Sequence, residues 1–311
     1  MKKGKLFISI FIVLSILVLF NKPLISSSYY FIKSKFLLPI IYLQKNNNSR
    51  QIEECFDKNL VSNKKIIKGK VLIIGHAYGD SESKNLGIYP KLLKFLNEKK
   101  YFFDLIVVAG DLVRDSSKEN YELATKQLKQ FGTRLLISPG NHDIGFNYSD
   151  NRRKVFKEYF GNFYNYIVLE ENLIFTLDTN INSTIDKEQF AWLKKVVNQN
   201  SNIKNIIITS HQVAWRESVK NKLLLDKHKK WEVIDDDKNK LIKFSKVVEY
   251  LNSLNNKTYF FSGSVNHQHY LYCYKKKNIT YINSGVGVND INSIVIMNLG
   301  ENYLKLKYEL F

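Results

Sequence analysis

The feature that most constrains this chain is a change of pattern at Lys70. From there, short apolar runs alternate with amphipathic stretches, and each run gives way to Gly, Ser, Pro or Asp. The runs cover residues 71–74, 105–109, 135–138, 174–177, 206–209 and 259–261. Their length and abrupt polar exits are those of buried strands. Helical patterns lie between them at 91–98, 119–130 and 188–197, and in the last of these Phe190, Leu193 and Val197 share one face. Such alternation argues for an α/β layered fold with helices packed on a sheet. The final runs, 280–283, 294–297 and 303–308, leave little room for helices and read as an antiparallel second half. The expected result is a two-sheet sandwich flanked by helices.

The residues before Lys70 have a different character. Lys2, Lys3 and Lys5 precede an apolar run over 6–20, interrupted by Ser9 and Ser15 and closed by Asn21, Lys22 and Pro23. A basic flank before an apolar stretch reads as a signal peptide or signal anchor with its Lys side in the cytoplasm. The expectation is an uncleaved anchor over 1–28, a single-pass membrane protein with the remainder outside the cytoplasm. The alternative is cleavage near Ser26 and Ser28, giving a secreted or periplasmic protein. Residues 29–69 read as a membrane-proximal segment, apolar over 30–42 but broken by Lys33, Lys35 and Pro39, and then a polar linker. The folded domain is expected over 70–311.

Charge narrows the partners. The chain carries 47 Lys and Arg against 29 Asp and Glu, a formal charge of +18, which suits phospholipid headgroups or phosphorylated substrates. The excess is spread along the chain with no arginine-rich arm and no nucleic-acid motif, so nucleic acid is not an expected partner. Cys55 and Cys273 are the only cysteines. They form neither a disulfide framework nor a thiolate cluster, and they leave open one disulfide that sequence alone does not establish.

Polar residues gather where the strands stop. Gly110-Asp111 follows one strand, Gly140-Asn141-His142-Asp143 another, and Ser210-His211-Gln212 a third. Loops at strand carboxyl ends converge on one crevice in α/β sheets. Asp, Asn and His supply the oxygen and imidazole donors of Zn, Mn or Fe sites. Taken singly, Gly110-Asp111 reads as a turn with a capping carboxylate and His211 as a satisfied core histidine. The Asn-His-Asp run after Pro139-Gly140 is different, because three adjacent polar residues at a tight turn need partners.

These blocks resemble those of the calcineurin-like metallophosphoesterase superfamily. Val108-Ala109-Gly110-Asp111-Leu112-Val113 is similar to its second signature, Ser138-Pro139-Gly140-Asn141-His142-Asp143 to its third, and Thr209-Ser210-His211-Gln212, with Trp215, to its fourth. Leu177-Asp178-Thr179 with Gln189, Trp192 and Leu193 matches a stretch common between the last two. The resemblance implies a four-layer α/β/β/α metallophosphoesterase sandwich, here preceded by an N-terminal membrane-anchor helix. It also implies one or two divalent metal ions, Mn, Zn or Fe, and metal-activated hydroxide attacking a phosphomonoester or phosphodiester. Asp111 would bridge the metals, Asn141 and His211 would be ligands, His142 would face the leaving group, and Asp143 would orient its imidazole. Substrates would be phosphorylated small molecules, lipid-linked phosphates or glycans.

Two blocks depart from the family pattern. Its first block has Asp-x-His after the first strand; here Gly75-His76-Ala77-Tyr78-Gly79 puts His76 and Tyr78 at those positions. Imidazole is a good ligand, so His76 is a candidate ligand too, whereas a phenol with a pKa of about 10 is a poor one. The last block has Gly-His-x-His; here Ser264 and Asn266 stand at the histidine positions, with His267 and His269 just after. These losses leave open a non-catalytic envelope binding protein on the same fold. The stretch 216–240 reads as a loop over the crevice or as a solvated excursion.

Overall fold

The computed structural model describes residues 55–56, 67–79, 86–219, 240–264, 271–287, 292–300 and 303–311, all within the compact unit Ile52–Phe311. The proposed anchor over 1–28 and most of 29–69 lie outside them, as do Asn266, His267, His269 and most of the 216–240 stretch. Among the described residues no helix is long and apolar enough to cross a membrane.

The chain runs through β1 (Ile67–Ile74), α1 (Pro90–Glu98), β2 (Leu105–Ala109), α2 (Lys118–Leu128), β3 (Leu135–Ser138), α3 (Asn141–Ile144) and α4 (Asn151–Phe160). It continues through β4 (Asn165–Leu169), β5 (Asn172–Leu177), α5 (Lys187–Gln199), β6 (Asn205–Ser210), α6 (Arg216–Val219), α7 (Phe244–Asn252) and β7 (Lys257–Ser262). It closes with β8 (Leu271–Lys276), β9 (Ile279–Ser284), β10 (Ser293–Gly300) and β11 (Tyr303–Leu310). The strands form a five-stranded sheet in the order β11-β10-β1-β2-β3 and a six-stranded sheet in the order β4-β5-β6-β7-β9-β8.

The period-two alternation of each central strand supplies both faces. In β1, Leu72 and Ile74 pack on α1, α2 and α4 through Leu92, Phe95, Tyr121 and Phe156. Val71 and Ile73 point the other way, into a layer shared with Ile174, Ile207, Phe261 and Ile282 of the second sheet. The outer face of that second sheet packs on α5 and α7 through Leu193, Val196, Val247 and Leu251. Three apolar layers therefore separate four layers of structure, α/β/β/α. Central strands buried on both faces read as unbroken apolar runs, which is why they were legible. Helix starts are equally local: Ser117 accepts from Asn120 N, and Asp186 from Gln189 N.

The antiparallel second half needs correction. β10 and β11 are antiparallel, but they join the first sheet beside β1. β9 runs parallel to β7 in the second sheet. The intervening β8 pairs antiparallel with β9 at the sheet edge, turning the chain so that β9 can run alongside β7. The folded unit also reaches back before residue 70. Cys55 is disulfide-bonded to Cys273 in β8, and Phe56, buried in the inter-sheet layer, meets Tyr308 of β11 edge-on at 5.0 Å.

Candidate metal centre and active site

The ends of β1, β2, β3, β6 and β7 meet at the seam between the sheets, and glycine lets them meet. A Cβ on Gly263 would lie 1.8 Å from the Ala109 carbonyl and 2.7 Å from Gly75 Cα. A Cβ on Gly140 would lie 2.0 Å from Asp111 Oδ1, and one on Gly110 2.2 Å from His211 Cβ. Backbone bonds then tie the loops together: His76 N donates to the Gly110 carbonyl at 3.1 Å, Gly263 N to Ser210, also at 3.1 Å, and Ser264 N to His211 at 2.8 Å.

Asp111 is the centre of the cluster, 2% exposed. Its Oδ1 accepts from the His142 amide at 3.0 Å, which turns Oδ2 toward two imidazoles. His211 Nε2 is 3.4 Å from Oδ2 and His76 Nε2 is 3.6 Å from it. His211 Nε2 also lies 2.9 Å from Asn141 Oδ1. Sequence reasoning placed these four side chains at one site, and the fold brings them together. Both His76 and Asp111 have positive φ, 55° in each case, a conformation that non-glycine residues hold chiefly where surrounding structure imposes it.

The donor chemistry fits a divalent cation. His76 Nδ1 lies 3.0 Å from the Val286 carbonyl, a bond only an N–H can make. The neutral ring therefore aims the bare Nε2 lone pair at a carboxylate, two acceptors facing each other. Burial, more than the opposing pull of Asp111, lowers the His76 pKa to about 4. Burial lowers that of His211 as well. Although burial alone would raise it, the Asp111 pKa is lowered, by His211 first and then His76. Neutral imidazoles beside a charged carboxylate are the protonation state that metal binding requires. Ligands at the usual Zn–N distance on a tetrahedral ion sit about 3.3 Å apart, close to the spacings seen here. Among the described residues no three His, Cys, Asp or Glu side chains form a finished metal cage; the set is two imidazoles and an amide oxygen about one carboxylate.

His142 stands beside this group. Its Nδ1 lies 2.8 Å from the Arg114 carbonyl, which leaves Nε2 for other partners. Asp143 does not orient that ring, contrary to expectation. Its carboxylate is fully buried and accepts from the amides of Gly140 at 2.7 Å and of Leu112 and Val113 at 3.2 Å. Its work is to bind the loop after β3 to the loop after β2. Its oxygens are committed to amides of its own turn and of the loop after β2, so the Arg114 carbonyl takes the orienting role. Burial and then the Asp111 charge raise the Asp143 pKa to about 8, against the pull of the three amides.

Tyr78, at the position where the family has histidine, is 2% exposed and lies between rings, 4.4 Å from His76 and 4.9 Å from His142. Burial, and then Asp111 and Asp143, push its pKa well above the ordinary phenol range, so it remains a neutral spacer. Ser264 abuts His211 through the backbone only in the contacts seen.

The family-like motifs included Gln212, Asp178 and Thr179 without assigning them partners, while Asn180 and Arg153 escaped the sequence reading. Gln212 Nε2 donates to Asn141 Oδ1 at 3.3 Å, while its amide donates to Thr179 Oγ1 at 3.1 Å. Asn180 Nδ2 reaches the Pro139 carbonyl at 2.9 Å and Asp178 at 3.1 Å. Asp178 in turn pairs with buried Arg153 at 2.6 Å. The Asp178-Thr179 stretch is thus a brace behind the ligand loops. Its family-like sequence and its position after an apolar strand marked the stretch, but not its partners.

The sequence model of the family described as calcineurin-like phosphoesterase matches residues 70–236, more than half of the chain. The 3',5'-cyclic adenosine monophosphate phosphodiesterase CpdA of Haemophilus influenzae is 33% identical over 86 residues, 26% of this chain and 31% of that protein. The purple acid phosphatase PPD1 structure from yellow lupin (Lupinus luteus) seeds superposes with a TM-score of 0.56 at 13% identity, covering 78% of this chain and 51% of that one. At that identity the likeness concerns the fold. The chain spans under a third of the first relative and about half of the second.

Proposed function

Because the chain belongs to the calcineurin-like phosphoesterase family, we propose that it is a metal-dependent phosphoester hydrolase working at the cluster around Asp111. The observation that carries this reading is the meeting of two imidazole nitrogens within 3.6 Å of one buried carboxylate oxygen. Asp111, His211 and Asn141 would hold a divalent cation, with His76 a further ligand on Asp111. Such an ion supplies Lewis acidity toward a phosphoryl oxygen and lowers the pKa of water.

The chain's own residues do the rest. Oδ1 of Asp111 is held by the His142 amide, so ligand and proton donor are tied together across two loops. The Arg114 carbonyl holds the His142 Nδ1–H, leaving Nε2 to carry a proton to the leaving oxygen. Tyr78 fills the space between His76 and His142 and keeps water out of it.

Location and substrate belong to the same proposal. The basic flank and apolar run at the amino terminus, with the Cys55–Cys273 bond, support a membrane-anchored protein whose domain works in an oxidising compartment. The +18 charge favours an anionic ester, soluble, lipid-linked or on a glycan. CpdA is by its name a cyclic-nucleotide phosphodiesterase, which supports considering diesters as well as monoesters.

The test is elemental analysis of the full-length chain, followed by hydrolysis of an aryl phosphate with Mn or Zn. We predict at least one ion per chain, lost in Asp111→Ala. In His142→Ala the ion should stay while the rate falls roughly 10²–10⁴-fold. No metal-dependent turnover across mono- and diesters would sink the reading. One observation favours a second reading, a non-catalytic phosphate-binding protein: Tyr78, neutral and buried, replaces a ligand histidine. Phosphate binding without turnover would establish it.

A further inference from the structure

Arg152 has a geometry that the proposed reaction does not use. It is the second residue of α4, next to an arginine with a different fate. Arg153 turns inward, pairs with Asp178 and lies over the Phe163 ring at 4.3 Å. Arg152 stays 41% exposed and lies against the ligand turn.

Its guanidinium is fixed on two sides. Nε donates to Asp150 Oδ1 at 2.9 Å and Nη2 to Asp150 Oδ2 at 2.6 Å, a two-point pair along one edge. Nη1 donates to the backbone carbonyl of Asn141 at 3.1 Å. Asp150 is itself immobilised. Its Oδ1 caps α4 by accepting from Arg152 N at 2.9 Å, and its Oδ2 fills the space at Gly145, where a Cβ would lie 2.0 Å away.

A guanidinium has five N–H groups, and these bonds use three. Two remain, on a partly exposed group anchored to the residue whose side-chain oxygen faces His211. The Asp150 bond is the main influence on the guanidinium, and the charge of Asp111 reaches it as the weakest of several. A planar donor fork matches phosphate oxygens better than an ammonium does. Because the fork is already held, binding costs little further ordering.

We propose that Arg152 is a substrate-binding residue, donating its two uncommitted N–H groups to non-bridging oxygens of a phosphoryl group at the Asp111 site. This rests on the phosphoesterase reading and adds the group that orients the anion.

The test uses the full-length, metal-loaded chain, with inorganic phosphate as probe by calorimetry and an aryl phosphate for kinetics. In Arg152→Met, phosphate Kd and KM should each rise about tenfold, with kcat within about threefold and metal content unchanged. Arg152→Lys should recover only part of the loss, since it restores charge without the fork. Asp150→Asn, which keeps the guanidinium but weakens its anchor, should show a smaller rise and serves if Arg152→Met does not fold. Unchanged phosphate affinity with full metal content in these variants would overturn the proposal and leave the phosphoesterase reading standing. Loss of metal in Arg152→Met would also overturn it, since Arg152 would then serve only the Asn141 turn. An unaltered chain that holds no metal and binds no phosphate would sink both.

Discussion

His76 stands where the family has aspartate, and the replacement changes the electrostatics of the site. A carboxylate there would add a second negative charge beside Asp111. An imidazole keeps the lone pair and removes the charge, and burial holds it neutral with a pKa of about 4. In the metal-free protein this has a consequence for stability. The unfolded chain takes up the proton near pH 6.5, while the native one resists until about 4. Between those values the unfolded state binds more protons, so stability falls as pH falls through that window and levels off below it. The shift corresponds to at most about 3.5 kcal/mol. We predict that urea unfolding of EDTA-treated protein loses stability from pH 7 to 4.5, and that His76→Gln loses distinctly less. Equal losses in the two proteins would refute this.

At the scale of elements, strand ends and glycines decide whether the ligands meet. β1 and β7 belong to different sheets, and the close approach of Gly75 to Gly263 joins their ends. Gly263→Ala would drive a methyl to within 1.8 Å of a backbone carbonyl, which no rotamer relieves. We predict a stability loss of roughly 1–3 kcal/mol together with loss of bound metal. Gly69→Ala in β1 is the control, because its Cβ would meet only ordinary contacts at 3.5 Å. Thermal unfolding and metal content of the two variants check this, and matching behaviour would show that the seam tolerates expansion. The strands themselves were legible because their apolar runs are local. β4 was not singled out, since its alternately half-buried and exposed residues do not make a continuous run. β8 was not either, because it ends in exposed Lys275 and Lys276.

For the whole molecule, the decisive link is the bond between Cys55 and Cys273, 218 residues apart. It fastens the segment before the sandwich to the edge strand β8, while Phe56 inserts beside Tyr308 on the other sheet's edge strand β11. The pair thus spans the edges of both sheets. Closing so long a loop restricts the unfolded chain strongly. We predict that Cys55→Ser with Cys273→Ser costs about 2–5 kcal/mol in denaturant unfolding, with metal content retained, because neither cysteine is a donor in the Asp111 cluster. Equal stability of the oxidised and doubly substituted chains would refute the role.

The sequence by itself determined the layered α/β architecture and named Asp111, Asn141, His142, His211 and His76. The architecture came from apolar periodicity, a short-range signal, and the site residues from local motifs that resemble the family's blocks. The tertiary structure alone decided which partner each group has. Asp143 takes backbone amides rather than the His142 ring, and Arg114 offers its carbonyl. Arg152 reaches Asn141, and Cys55 finds Cys273. Those contacts depend on distances between loops brought together by sheet packing, and no spacing along the chain encodes a distance across a seam.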